Sequence, residues 1–307
     1  MPAILAHHLF GEDASVLLPE GMLANQQDLL AFLLGNQGVD PLWAHGLASP
    51  GVAHACHQLA SRVHTERITD VLMSMRGAVS QLDEDERSIG RAFVLGIAAH
   101  YLLDSMAHPL ICAQEEELAQ ADAELAACRD EVHAIIESDL DSWTLWETRH
   151  LTVLDAPSSR ALARTSQVER IAGVIVSHMA KEIFGMELSA SEFAKAVRDY
   201  QLLYKAIDPP ALLSSRLLFF VERLGLKRSR LRAQAHVITT SDKCASANLE
   251  HRPWRNPTTG EISVASFPDL YHDALFAWPE FSRCLVVGDK ERLDLMVGGI
   301  DYYGRAL

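Results

Sequence analysis

The stretch His100-Tyr-Leu-Leu-Asp104-Ser-Met-Ala-His108-Pro109 places an imidazole, a carboxylate and a second imidazole at four-residue intervals in an otherwise apolar segment. At roughly 100° per residue in an α-helix, the three side chains fall within about 80° of one another and share one face. Burying three unpaired polar groups is unfavourable, and a metal ion with nitrogen and oxygen ligands removes that penalty. The stretch therefore predicts a buried helix that carries part of a metal site.

A second stretch repeats the pattern. His133, Glu137 and Asp141 have the same four-residue spacing between apolar residues, so we expect a second helix with a metal-binding face. Pro109 predicts a break between the two helices, because proline lacks the backbone N–H and disfavours a helix interior. Two helices joined in this way form the hairpin expected of a helical metal cage.

Earlier segments supply further ligand types. The N-terminal region contains the adjacent pair His7 and His8, and Asp40 follows a glycine-containing segment that predicts a loop. In the next predicted helix, His57 and His64 lie seven residues apart and so share a face. Most of the histidines lie in the first half of the chain, which indicates a site built by its first five segments.

The order of these residues resembles that of the bacterial zinc-dependent phospholipase C family, whose superfamily also contains fungal single-strand nucleases. The similarity extends into the second half through Asn248–Gly260 and Ser266–Tyr271. The resemblance implies an all-α, multi-helix bundle that holds two or three zinc ions. The implied ligands are His7, Asp40, His64, His100, Asp104, His108, His133 and Glu137. Two positions have alternatives: His8 in place of His7, and His57 or His54 in place of His64.

The same resemblance implies hydrolysis of a phosphodiester, most readily a phospholipid, with Asp40 as both metal ligand and general base. Zinc lowers the pKa of bound water to roughly 7, and a second ion neutralises the phosphoryl oxygens. Two alternatives stay open. One is a nuclease or nucleotidase that acts on phosphate esters of nucleic acids, and the other is a metal-stabilised protein that has lost turnover.

Composition sets limits on the partners and the location. The chain has 307 residues and a net charge of −14, which disfavours binding to a nucleic-acid duplex. Five cysteines without a CxxC pair indicate reduced thiols. The family's secreted members use a processed N-terminal amino group as a ligand, whereas this sequence begins Met1-Pro2 without an evident export signal. We therefore expect a cytoplasmic protein without a membrane span, in which 89–113 is a buried helix.

Apolar residues recur at helical spacing over 2–18, 25–35, 50–80, 84–112, 114–150, 160–184 and 190–206. This pattern predicts a single domain over 1–307, with the metal-site helices in 1–150 and a helical half in 151–307. The segment 216–232 carries six cationic residues and one acidic residue. It is either a packed helix with a solvated basic end or a peripheral membrane contact for a phospholipid substrate.

Overall fold

The computed structural model describes residues 4–46, 48–210, 215–216, 218–220, 222 and 229–307. Its helices are α1 (Ile4–Ser15), α2 (Gln26–Gly35), α3 (Pro50–Thr65), α4 (Ile68–Ser80), α5 (Arg87–Ala121), α6 (Ala123–Ala126), α7 (Arg129–Arg149), α8 (Ser166–Phe184), α9 (Ala190–Ile207), α10 (Arg230–Gln234), α11 (Phe267–Val287) and α12 (Lys290–Val297). Single 3-10 turns occupy Asp40–Ala44, Glu84–Glu86, Ser158–Leu162 and Ala245–Ala247. Within the described residues the one sheet is an antiparallel pair, β1 (Trp254–Arg255) and β2 (Ile262–Ser263), with Trp254 opposite Ser263. The predicted all-α class is confirmed.

Helix α5 continues through Pro109, so the predicted break at this proline is wrong. A proline in a helix interior is unfavourable by about 3 kcal/mol. The next two residues, Leu110 and Ile111, are almost fully buried. Burial of such side chains contributes roughly 1.5–3 kcal/mol each, which outweighs the proline. The chain turns instead after Ala121, where Asp122 caps the short helix α6 by accepting from the backbone N–H of Glu124.

The predicted helix over 50–80 is two helices. Helix α3 ends at Thr65, and α4 begins after Arg67, whose φ of 55° lies in the left-handed region. The Arg67 guanidinium donates to the carboxylate of Asp70 and to the carbonyl oxygen of Ile183. These bonds stabilise the bend between α3 and α4, which the spacing of apolar residues does not predict.

The chain divides into two compact units, and each takes segments from both halves of the sequence. The first unit comprises Met1–Ala6, Ala107–Ala161 and Gln201–His272, and the second comprises His7–Met106, Leu162–Tyr200 and Asp273–Leu307. Four helices, α1, α5, α9 and α11, contribute residues to both units. The single domain over 1–307 stays a prediction.

In the second unit, α4 packs against α8 and α12, and α2 packs against both α8 and α5. The contact between α2 and α5 is made by backbone atoms at Gly35 and Gly96. A Cβ added at Gly35 would lie 2.2 Å from the carbonyl oxygen of Phe93, and one added at Gly96 would lie 2.1 Å from that of Phe32. This approach brings the segment after Gly35, which carries Asp40, against α5.

In the first unit, α7 packs against α10 and against the 3-10 turn Ala245–Ala247. The indole N–H of Trp143 donates to the carbonyl oxygen of Asp242 at 3.3 Å. The buried Ser138 hydroxyl donates to the carbonyl oxygens of Ile135 and Ala233. Helix α7 therefore presents a polar face to neighbouring segments of its own unit.

One described stretch, Glu84–Ala121, is long and apolar enough to cross a membrane, and 94% of its most apolar window is buried inside the protein. This burial agrees with the prediction that 89–113 is the core helix of a folded domain. The segment 216–232 stays untested, because Leu217, Val221 and 223–228, with three of its six cationic residues, lie outside the described residues. The five cysteines, all within the described residues, are in the reduced form.

The backbone contact between α2 and α5 yields a first prediction. The substitution Gly96→Ala should lower the free energy of unfolding by about 3 kcal/mol, because the added methyl group overlaps a backbone oxygen that cannot move aside. Gly77→Ala in α4 is the matched control, since its Cβ would meet nothing within 4 Å. It should raise stability by about 0.5–1 kcal/mol. Urea unfolding of both variants measures the difference, and equal effects would refute the close approach.

Candidate metal centres

The second unit gathers five of the eight predicted ligands into one buried cluster. His7 comes from α1, Asp40 from the 3-10 turn that follows α2, and His64 from the last turn of α3. His100 and Asp104 lie one turn apart on α5. All five side chains are buried. We call this set the five-residue cluster.

Imidazoles and carboxylates alternate along the cluster. His64 Nε2 lies 2.9 Å from Asp40 Oδ1, and Asp40 Oδ2 lies 3.5 Å from His100 Nε2. His100 Nε2 lies 3.3 Å from Asp104 Oδ2, and Asp104 Oδ1 lies 2.9 Å from His7 Nε2. Each carboxylate therefore spans two imidazoles, and His100 stands at the centre.

Backbone carbonyls fix the tautomers of two histidines. His100 donates its Nδ1–H to the carbonyl oxygen of Asn36 at 3.0 Å, and His64 donates its Nδ1–H to that of Ala60 at 2.7 Å. A carbonyl oxygen can only accept, so the proton must lie on Nδ1 in both rings. When these rings are neutral, each Nε2 therefore directs a lone pair at a carboxylate. Such outer hydrogen bonds orient histidine ligands in metal sites.

Two buried atoms at the centre lack a hydrogen-bond partner among the described residues: His100 Nε2 and Asp40 Oδ2. A neutral imidazole lone pair facing a carboxylate is repulsive, and an unpaired buried polar group costs about 1–3 kcal/mol. A cation between the atoms, either a proton or a metal ion, removes both penalties. With its imidazoles neutral, the cluster therefore requires an added positive charge, either a proton or a metal ion.

The separations distinguish a proton from a metal ion. An imidazolium–carboxylate hydrogen bond closes to roughly 2.7–2.9 Å. Two ligands that bind one tetrahedral zinc at about 2.0–2.1 Å lie roughly 3.3 Å apart. His100 Nε2 lies 3.3 Å and 3.5 Å from its two carboxylate neighbours, which fits the metal better than the proton. The 2.9 Å contacts of His7 and His64 have the length of ordinary hydrogen bonds.

A glycine keeps space open beside the central nitrogen. Gly38 has a φ of +59°, and a Cβ added there would lie 2.6 Å from His100 Nε2. Any larger residue would therefore obstruct the nitrogen atom through which His100 could bind a metal ion. The position needs glycine both for its backbone conformation and for access to the ligand.

Burial and neighbouring charges shift the pKa values in opposite directions within the cluster. Burial, together with the nearby His100, lowers the pKa of His7. Burial would also lower the pKa of His100, but Asp104 and Asp40 outweigh it and raise that pKa to about 9. Without a metal, His100 therefore carries the proton at neutral pH. A metal ion must displace this proton, because only the free lone pair coordinates.

The remaining three predicted ligands form a separate set in the first unit, which we call the three-residue set. His108 Nε2 and His133 Nε2 lie 3.5 Å and 3.2 Å from Oε1 of Glu137. His133 also contacts Glu115 through Nδ1, at 3.1 Å. A carboxylate on the far nitrogen of a histidine ligand is a common outer partner in zinc sites. Three protein ligands leave a coordination position for water or substrate.

Asp141 lies one turn after Glu137 on α7, but its carboxylate belongs to a different hydrogen-bond network. Its carboxylate accepts the backbone N–H groups of Leu5 and Ala6 at 2.8 and 2.7 Å, and so caps the start of α1. It also accepts from Nε2 of the buried His236, whose Nδ1 contacts Asp208. Burial would lower the pKa of His236, but Asp208 and Asp141 raise it to about 10, so the ring is an imidazolium.

The structure also separates the predicted ligands from their alternatives. His8 lies 3.5 Å from Glu12, outside the cluster, and His54 is exposed. His57 packs beside Trp43, with ring centroids 5.8 Å apart. The geometry thus gathers His7 and His64, the residues that the resemblance implies.

Sequence reasoning missed the groups that support these ligands. Gly38 and the carbonyl of Asn36 lie in the loop that the sequence located, but periodicity cannot assign them to His100. Glu115 lies within an acidic, exposed-looking run, so nothing in the sequence marks it as a partner of His133. The buried Tyr302, near the end of the chain, has its ring 4.6 Å from that of His64.

No protein-family model, curated protein or solved structure matches this chain.

The clusters predict the metal content. Purified protein should hold two or three zinc ions per chain by elemental analysis. Gly38→Ala should lose most of the metal of the five-residue cluster, because the new methyl group occupies the space at His100 Nε2. His133→Ala should lose the metal of the three-residue set. His54→Ala is the control and should retain the full content, since that side chain is exposed. Wild-type metal content in Gly38→Ala would contradict the assignment.

The His236 network predicts a pH-dependent stability. The pKa of His236 is raised from 6.5 to about 10 in the folded protein, so its contribution is complete below about pH 6.5 and lost as the pH rises towards 10. His236→Gln should therefore destabilise the protein by about 3–5 kcal/mol at pH 6 and by less at pH 9.5. Urea unfolding at both pH values tests this, with the exposed His272→Gln as control. A penalty that grows with pH would refute the assigned charge.

Proposed function

We propose that the protein is a zinc-dependent phosphodiester hydrolase of the phospholipase C type, and that the five-residue cluster is its catalytic centre. The observation that carries the proposal is the central His100 Nε2, which faces two buried carboxylates at ligand-to-ligand separations. The donor set consists only of imidazole nitrogens and carboxylate oxygens, which suit zinc. The all-α architecture is the one that the sequence resemblance implies.

A bound zinc ion supplies two things to phosphodiester hydrolysis: it lowers the pKa of water and neutralises anionic oxygens. The protein's own side chains would hold the ion and orient the reacting groups. His7, His64 and His100 would contribute neutral nitrogens, and Asp104 would complete the ligand set with Asp40. The two buried carboxylates would offset the positive charge of a bound divalent cation.

Asp40 is the proposed proton acceptor. Burial would raise its pKa, but the neighbouring His100 and His64 outweigh burial and lower it, so the carboxylate is ionised at neutral pH. Its Oδ1 contacts His64, whereas Oδ2 has no hydrogen-bond partner among the described residues. One oxygen can therefore hold the metal while the other accepts a proton from the attacking water.

Tyr302 is a proposed hydrogen-bond donor to the substrate. Its backbone N–H donates to the carbonyl oxygen of His64 at 3.1 Å, which holds the ring against the cluster. Burial, with Asp104 and Asp40 nearby, raises the pKa of Tyr302 well above its usual value. The phenol therefore keeps its proton and can donate to an anionic phosphoryl oxygen.

The substrate class follows from charge. A net charge of −14 opposes a polyanionic strand, whose binding depends on cationic contacts. A phospholipid or another small diester carries one charge at the scissile group, which a bound metal ion would neutralise. A peripheral membrane contact through 216–232, one of the two alternatives for that segment, would bring the protein to such a substrate.

One observation favours the second candidate, a hydrolase of nucleotide phosphate esters. The half-buried rings of Trp43 and Tyr303 have centroids 6.4 and 6.2 Å from that of His64. Stacking of a base on an aromatic ring contributes about 1–3 kcal/mol. A metal-stabilised protein without turnover would keep the same ligands, so activity must be measured directly.

Zinc-loaded protein should hydrolyse bis(p-nitrophenyl) phosphate, and Asp40→Asn should lower kcat by at least about 100-fold, in the range of a lost general base. The exposed His54→Ala is the control and should keep full activity. Phosphatidylcholine in micelles and a thymidine 5′-phosphate ester then separate the two substrate classes. Full activity in Asp40→Asn, or metal-loaded protein that cleaves none of these diesters, would contradict the proposal.

A further inference from the structure

A second site lies in the second unit, on elements other than those that carry the metal ligands. It is a cavity of about 250 Å³ between α4, the first turns of α5 and the end of α11. It is lined by three arginines (Arg76, Arg87 and Arg91), by Ser80 and by five aliphatic residues. A cavity of roughly 150 Å³ is large enough for benzene, so this one has room for a small organic molecule.

The cavity concentrates positive charge in an acidic protein. Three arginines line it, and no acidic side chain does. The chain carries 41 acidic residues against 27 basic ones, and arginines elsewhere in the described residues pair with them, as in Arg164–Glu169 and Arg283–Glu280. Over the described ranges, none of Arg76, Arg87 and Arg91 forms an ion pair. Their charge is therefore available to an anion.

Two of these guanidinium groups are held in place by uncharged partners. Arg76 donates from Nε and Nη2 to the carbonyl oxygen of Val286, at 3.3 and 3.2 Å. Gly288, with a φ of +80°, leaves room for this arrangement, since a Cβ there would lie 2.7 Å from Arg76 Cζ. Arg87 donates from Nε to the carbonyl oxygen of Leu82 at 3.1 Å. Backbone carbonyls orient both groups without neutralising them.

Apart from Ser80, the rest of the wall is apolar. Val79, Val94, Leu95 and Leu285 present aliphatic side chains to the same space. Inorganic phosphate would use the cations but leave this surface in contact with water. A ligand with both an anionic head and an aliphatic tail would satisfy both parts of the lining.

We infer that this cavity binds a small amphiphilic anion, with a phosphate or carboxylate head at the three arginines and a short alkyl tail against the aliphatic wall. Planar guanidinium groups pair with both heads through two parallel hydrogen bonds. The inference rests on residues outside the five-residue cluster and does not depend on the proposed function.

Isothermal titration calorimetry with hexyl phosphate tests the inference on the protein as purified. Hexanoate, inorganic phosphate and hexan-1-ol are titrated in parallel, to separate the two heads and the contribution of the tail. Arg91→Gln removes one cation, and Ser80→Glu adds an exposed carboxylate to the lining. Arg252→Gln is the matched control, because that exposed arginine pairs with Glu250 outside the cavity.

Hexyl phosphate or hexanoate should bind with a Kd at least tenfold lower than that of inorganic phosphate or hexan-1-ol. Arg91→Gln and Ser80→Glu should each raise this Kd at least tenfold, and Arg252→Gln should leave it unchanged. Repetition in EDTA should leave binding intact, which distinguishes the cavity from the metal centre. Unchanged affinity in both cavity variants, equal binding of hexan-1-ol, or loss of binding in EDTA would overturn the inference.

Discussion

The buried contact between His100 and two carboxylates constrains everything around it. A neutral imidazole whose Nδ1 donates to a carbonyl must direct its Nε2 lone pair at Asp40 and Asp104. Lone pairs that face one another in a protein interior repel, and the repulsion is strong where the dielectric constant is low. This contact therefore requires positive charge, from either a proton or a metal ion, and the spacing of the ligand atoms fits a metal ion better than a proton.

The surrounding backbone is arranged to make this contact. Gly35 and Gly96 let α2 approach α5 without intervening side chains, and the chain then continues directly into the loop that holds Asn36 and Gly38. The Asn36 carbonyl fixes the tautomer of His100, and Gly38 leaves its Nε2 accessible. One close helix contact thus sets both the orientation of the central ligand and the access to it.

Much of this could be predicted from the sequence, because ligand spacing on a helix follows from helix geometry alone. The pairs His100 with Asp104 and His133 with Glu137 are of that kind. The predicted break at Pro109 was wrong. The free energy gained by burying the following turn outweighs the cost of the proline, and local sequence rules do not include that burial. The choice of His7 over His8 depends on how α1 is rotated about its axis, and Glu115 is brought to His133 by the turn between α5 and α7. These contacts depend on tertiary packing, so the spacing of apolar residues in the sequence does not predict them.

The central claim is that metal ions, not protons, satisfy the buried ligands. Crystallographic anomalous scattering measured on both sides of the zinc absorption edge tests it most directly. We expect zinc peaks about 2.0–2.1 Å from Nε2 of His100 and from Nε2 of His133, with only nitrogen and oxygen neighbours. Density without any anomalous peak in either set, with the imidazole–carboxylate contacts closed to hydrogen-bond length, would show that protons suffice and would contradict it.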